Sequence, residues 1–238
     1  MKLRPIVCLI VLFIFSFVGT ANSTDFTFDS DGVDIFYSVE GEGEPVVLIH
    51  GAGATGAINW RVPKIVQMLS QKYRVITMDV RGHGKSDKPD NGAVGAAAAE
   101  DVRRLLDHLD LENAHIVGYS MGSMITLKLM TEYPERVRSA VIGGMGWYEQ
   151  MPDQKMDAKK FGELGTTAKQ MKKISTPLVV IIGKDDLRQL QRVDRWKSVV
   201  PDLDVVIVER ANHTNCMFKP AFKEALFSFL DEQSEMRN

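Results

Sequence analysis

Hydrophobic residues along the 238-residue chain fall into short blocks whose period changes repeatedly. Phe26 and Phe28 alternate with polar residues, and Val33, Ile35 and Tyr37 do the same after Asp31-Gly32. Period-two alternation on both sides of an Asp-Gly turn predicts an N-terminal β-hairpin. Pro45–His50 is instead a continuous apolar run, as expected of a strand buried on both faces. Beyond it, strand-like and helix-like segments alternate. Arg74–Asp79, Ala114–Tyr119, Ser139–Gly143, Pro177–Gly183 and Leu203–Val208 read as strands. Trp60–Ser70, Ala98–Leu109, Met121–Tyr133, Leu187–Val199 and Pro220–Asp231 read as helices. A hairpin followed by strand–helix units predicts an α/β fold: a mostly parallel sheet with helices on both faces. Gly144–Thr176, with four Met and six Lys, carries no strand pattern and is expected to be a helical excursion over the strand ends.

The first residues have a different character. Lys2 and Arg4 precede Ile6–Val18, which is apolar except for Ser16, and the small residues Gly19-Thr20-Ala21 follow. This is the three-part pattern of a secretory signal peptide. Residues 1–21 are therefore expected to be removed, leaving a domain over 22–238 in an exported protein, periplasmic or secreted. The apolar run is short for a membrane span, which needs about 20 residues; retention as an anchor is the alternative. No stable membrane span is expected after cleavage. Of two cysteines only Cys216 would survive, so no intramolecular disulfide is expected. Cys216 reads as a small buried residue or as a reactive thiol. At 45% hydrophobic, 25% charged and a net charge of −2, the composition is that of a globular protein. It excludes a disordered chain and gives no basic footprint for nucleic acid. It does not fix an oligomeric state.

Gly118-Tyr119-Ser120-Met121-Gly122 matches G-x-S-x-G between a predicted strand and a predicted helix. That context turns a common pentapeptide into a candidate nucleophile elbow, in which a sharp turn lifts the serine Oγ above the sheet edge. The Met121 N–H would point into the site from the helix N-terminus. A serine needs a base. Of five histidines only His213 falls in a loop between the last strand and the last helix. An acid must hold the imidazole in one tautomer. Asp185 and Asp186, after the strand ending at Gly183, are both candidates, with a helix N-cap as the bland alternative.

His50-Gly51-Ala52-Gly53-Ala54-Thr55-Gly56 has two readings. Its backbone can supply the Ala52 N–H as the second donor of an oxyanion hole, beside Met121. The same residues spell G-x-G-x-x-G at Gly51, Gly53 and Gly56, with Asp79 ending the next strand, near a dinucleotide-binding fingerprint. The preceding hairpin counts against the second reading, as does the absence of a Tyr-x-x-x-Lys pair. Gly84-Lys85-Ser86 lacks the upstream glycine of a phosphate-binding loop, since Asp79 stands there. His213 and Cys216 have no companion ligands, so no metal is expected.

Taken together, these residues resemble the α/β-hydrolase fold superfamily from about Phe26 to Leu230. Asp79-Val-Arg-Gly-His-Gly-Lys-Ser-Asp-Lys-Pro89 is similar to the family's D-x-R-G-x-G-x-S-x-x-P loop. His50-Gly51 and Trp60 resemble the oxyanion loop and the helix after it. Gly183-Lys-Asp-Asp186 resembles the family's G-x-x-D, which favours Asp186 over Asp185. His213 before Lys219-Pro220 resembles the terminal histidine and helix entry. The chain departs from the pattern at Asn212 and Ser123, where the family often has glycine. The resemblance implies an eight-stranded, mostly parallel sheet with a reduced cap at 144–176, and structural roles for Arg81, Gly82 and Asp87. It implies a serine hydrolase acting on a small acyl ester or thioester through an acyl-enzyme. Ser120, His213 and Asp186 would be catalytic, Ala52 and Met121 would form the oxyanion hole, and no cofactor is implied. Other chemistry on the same residues (perhydrolase, lyase or acyltransferase) and dinucleotide binding are the alternatives.

Overall fold

The computed structural model describes residues 23–89, 94–149 and 164–236; the signal-peptide reading of residues 1–21 and the middle of the 144–176 insert lie outside them. The hairpin is β1 (Thr24–Asp29) and β2 (Asp34–Glu40). Asp31 and Gly32 both take positive φ, 60° and 78°, the combination that a two-residue turn between twisted strands requires. There follow β3 (Glu44–Ile49), α1 (Ile65–Leu69), β4 (Tyr73–Met78) and α2 (Ala97–His108). Next come β5 (Ala114–Tyr119), α3 (Met121–Glu132), β6 (Val137–Gly143) and α4 (Ala168–Met171). The chain closes with β7 (Leu178–Gly183), α5 (Leu187–Lys197), β8 (Asp204–Val208) and α6 (Pro220–Glu235).

The eight strands form one sheet in the order β1-β2-β4-β3-β5-β6-β7-β8. Only the β1–β2 and β2–β4 pairs are antiparallel. The continuous apolar strands serve both faces of this sheet. In β3, Val47 and Ile49 join one core with α2, α3 and α5, while Val46 and Leu48 join the other with α1 and α6. β7 divides likewise: Val180 and Ile182 face one way, Val179 and Ile181 the other. From β3 the chain crosses to β4 on one side, and from β5 to β6 on the other. The carboxyl ends of β3 and β5 therefore flank a topological switch point, where α/β sheets leave a crevice.

One expected helix differs from the sequence reading. Trp60–Ser70 is not one helix: a π-helical turn at Ala57–Arg61 is separated from α1 by Pro63 and by Lys64 at φ 65°. Proline lacks an N–H and Lys64 is left-handed, so the ladder cannot continue. The described parts of 144–176 hold the four-residue α4, with its Thr167/Gln170 capping box, and a bridge between Glu149 and Thr166. No described helix is long and apolar enough to cross a membrane.

Candidate active site

Strand register determines which loops meet at the crevice. Ile49 lies beside Gly118, Tyr119 beside Gly143, and Gly183 beside Val208. The loops that leave these residues share one edge of the sheet. Ser120 turns the corner from β5 into α3 at φ 53°, ψ −112°, a conformation that costs a non-glycine residue of order 1–3 kcal/mol. The surroundings hold it there. Ser120 N–H donates to Gly143 O at 2.8 Å. Ser123 Oγ lies 3.0 Å from Gly118 O and 2.9 Å from Gly143 O, so the hydroxyl that replaces a family glycine ties the turn to two strands. A Cβ on Gly118 would stand 2.3 Å from Gly122 O, and one on Gly122 would stand 2.1 Å from Ile49 O. Both motif glycines are thus required by backbone crowding.

His213 reaches this corner from the loop after β8. Its Nε2 is 2.9 Å from Ser120 Oγ and its Nδ1 is 2.7 Å from Asp186 Oδ2. A carboxylate can only accept, so Nδ1 carries the proton and Nε2 is left to accept from the serine hydroxyl. Asp186 is buried, 9% exposed. Asp185 is exposed, and its backbone N–H donates to Ala211 O at 2.8 Å. Geometry therefore brings Asp186, and not Asp185, to the imidazole. The histidine loop is fastened by Tyr119, whose O–H donates to His213 O at 2.6 Å. Burial and the neighbouring Cys216 and Asp186 push the Tyr119 phenol well up, so it stays a donor. Asn212 keeps a negative φ, so no glycine is needed there. Its Oδ1 instead accepts from Thr214 and Asn215 N–H at 3.0 and 3.2 Å.

The loop after β3 faces the same corner. A Cβ on Gly51 would stand 3.3 Å from Ser120 Cβ. Gly51 N–H donates to Asn59 Oδ1 at 2.7 Å. His50 is fully buried; its Nδ1–H donates to Gly51 O at 2.7 Å, and its Nε2 accepts from Val80 N–H at 2.9 Å. Both bonds suit a neutral ring, and burial pulls its pKa down to about 4. Ala52 and Met121 line a pocket of about 320 Å³ with Ser120 and His213, walled by Met124, Met145 and Tyr148. Ala52 N–H makes no hydrogen bond among the described residues. Met121 opens α3, where an N–H has no acceptor within the helix.

Other sequence features are accounted for elsewhere. Asp79 accepts from Gly56 and Lys85 N–H at 2.8 and 2.9 Å. It closes its own loop, and the turn after Gly56 is π-helical rather than an α-helix N-terminus, so the dinucleotide cradle is not built. Arg81 forms a two-pronged contact with buried Asp101, at 2.6 and 2.5 Å. Asp87 accepts from Asp34 N–H and Gly82 donates to Asp87 O, both structural roles. Cys216 is buried, and desolvation pushes its thiol up to about 12, which makes it a poor nucleophile. The sequence reading missed Asn59 and the pocket residues Arg188 and Arg192; only the arginines left a signal, their spacing of four.

A family model for the alpha/beta hydrolase fold matches residues 44–163, just over half of the chain. A putative non-heme chloroperoxidase of Synechocystis sp. is 39% identical over 115 residues, covering 48% of this chain and 41% of that protein. The 2-hydroxy-6-oxo-6-phenylhexa-2,4-dienoate hydrolase of Comamonas testosteroni is 40% identical over 118 residues, covering 47% and 40%. The match thus spans about two-fifths of the length of these curated relatives. In structure, a predicted CIB-like hydrolase from Thermoplasma acidophilum superposes with a TM-score of 0.74 at 21% identity, over 88% of this chain and 98% of that one; this likeness is one of fold. The elbow between β5 and α3, the sheet order and the matched segment agree, and the chain belongs to the α/β-hydrolase family.

Proposed function

We propose that the protein is a serine hydrolase that cleaves a carboxylic ester or thioester through an acyl-enzyme. The observation that carries this reading is the row Ser120 Oγ–His213–Asp186, at 2.9 and 2.7 Å, opening into a pocket. In the proposed cycle Ser120 Oγ attacks the acyl carbonyl as His213 Nε2 takes its proton. Asp186 holds the ring and stabilises the imidazolium. The Ala52 and Met121 N–H groups receive the oxyanion, each such donor being worth about 2.7–4 kcal/mol. His213 then protonates the leaving group, and water, deprotonated by His213, releases the acid and restores the serine.

The test is turnover of p-nitrophenyl esters from C2 to C12 by the wild type and Ser120→Ala. The reading expects turnover that disappears in the variant, with short chains preferred by a pocket of about 320 Å³. Full activity in Ser120→Ala would sink it. Similarity to the putative chloroperoxidase of Synechocystis favours one second reading, in which hydrogen peroxide replaces water at the acyl-enzyme and gives a peroxyacid. Peroxide-dependent halogenation in acetate buffer separates the two. Export directed by residues 1–21 is part of the proposal, and N-terminal sequencing of the mature protein tests it.

A further inference from the structure

Arg188 and Arg192 stand one helical turn apart on α5 and both line the pocket that holds Ser120 and His213. Several other arginines are neutralised: Arg81 by Asp101, Arg103 by Glu100, Arg195 by Glu149. Among the described residues neither Arg188 nor Arg192 has a carboxylate within ion-pair reach, and no carboxylate lines the pocket. Among the described residues Asp186 is the acid that acts on Arg192 electrostatically, and it is already bonded to His213.

By itself the arrangement is unfavourable. Like charges four apart on a helix repel. Arg188 also sits in the first turn of α5, which carries no acid, at the end where the helix dipole disfavours a cation. Arg192 is half-buried, and desolvation together with Arg188 lowers its pKa. Its position is nonetheless built. The guanidinium lies 4.8 Å from the Tyr148 ring centroid, and Nη1 donates to Gln189 Oε1 at 3.2 Å. The loop after β6 presses on its stem: a Cβ on Gly146 would stand 2.5 Å from Arg192 Cβ. A planar guanidinium fixed beside an apolar wall is suited to a carboxylate, which it binds through paired N–H donors.

We infer that the substrate carries a carboxylate, which Arg188 and Arg192 bind beside the reacting acyl group. The inference rests on the serine-hydrolase reading. The substrate class is then a small half-ester of a dicarboxylic acid, or an acyl ester of a hydroxy acid.

Two matched pairs distinguish the side on which the charge lies. Mono-p-nitrophenyl glutarate against p-nitrophenyl pentanoate places it on the acyl side. 4-Acetoxybenzoate against its methyl ester places it on the leaving group. In at least one pair kcat/KM is expected to favour the anion by about tenfold, the scale of one charge-assisted hydrogen bond. The preference should sit in KM and shrink with added salt. Arg192→Gln and Arg188→Gln should each draw the ratio towards one, Arg192→Lys should restore part of it, and exposed Lys197→Gln should not move it. Equal turnover of both members in both pairs overturns the inference, as does a preference that survives both glutamine variants. Calorimetric titration of Ser120→Ala with the members of both pairs separates the two readings. Tighter binding of the anion without wild-type turnover retains the arginine site and rejects the hydrolase; turnover without tighter binding does the reverse.

Discussion

Ser120 concentrates the cost of the site in one residue. Its φ of 53° and ψ of −112° suit glycine and strain every other type. Ser120→Gly is therefore expected to lose activity yet gain about 1 kcal/mol over Ser120→Ala, a rise of about 2–4 °C in Tm for a domain of this size. Thermal melts of both variants check this, and a glycine variant that melts no higher than the alanine variant contradicts the strain. His50 makes a different prediction. Its folded-state pKa of about 4 lies below the ordinary 6.5, so between these values the unfolded chain binds more protons than the folded one. Stability is full above pH 6.5 and falls as the pH drops towards 4, by about 2–3 kcal/mol between pH 7 and 4.5. Denaturant titrations should show that this acid-side loss shrinks by that amount in His50→Asn. The two neighbouring aspartates should separate cleanly. Asp186→Asn is expected to lower kcat about 10³–10⁴-fold, as loss of the orienting acid does. Asp185→Asn, on an exposed group, should leave kcat within about twofold; the reverse pattern would reassign the acid.

Elements matter through how closely they approach. α3 starts against the end of β3, where Gly122 leaves no space for a methyl group. Gly122→Ala is expected to cost more than about 3 kcal/mol, measured by chemical unfolding, because backbone rather than a flexible side chain must yield. Tyr119 links the elbow strand to the histidine loop through a single phenol. Tyr119→Phe should cost about 1 kcal/mol in stability and lower kcat up to about tenfold through a looser His213, with kinetics and melts on one preparation as the check. This scale also marks what could be read from sequence. The strands were legible because their alternation or continuity states how many faces they bury. The elbow was legible because G-x-S-x-G sits between a strand and a helix. The π-helical turn at Ala57–Arg61 was not, since it depends on Pro63 and a left-handed Lys64 acting within a loop packed against the sheet. Asn59 left no mark because its bond to Gly51 is set by that turn. The choice between Asp185 and Asp186 needed the helix geometry after β7 or a family pattern, since both are aspartates.

At the scale of the whole molecule, the order of the strands does the assembling. β3 and β5 adjoin where the chain changes direction across the sheet, so loops far apart in sequence converge at one edge. Ser120 and His213 are 93 positions apart, yet hydrogen-bonded. The spacing of Arg188 and Arg192 was visible, but the face of α5 that meets the pocket follows from Val193 and Trp196 entering the core. Under the proposed function, this convergence activates Ser120 as a nucleophile. The most direct measurement is intact-mass and peptide mapping after reaction with a fluorophosphonate. One adduct per chain is expected, on Ser120, absent from Ser120→Ala and formed far more slowly by His213→Gln. No adduct on the folded wild type, or one at the same rate without His213, would contradict it.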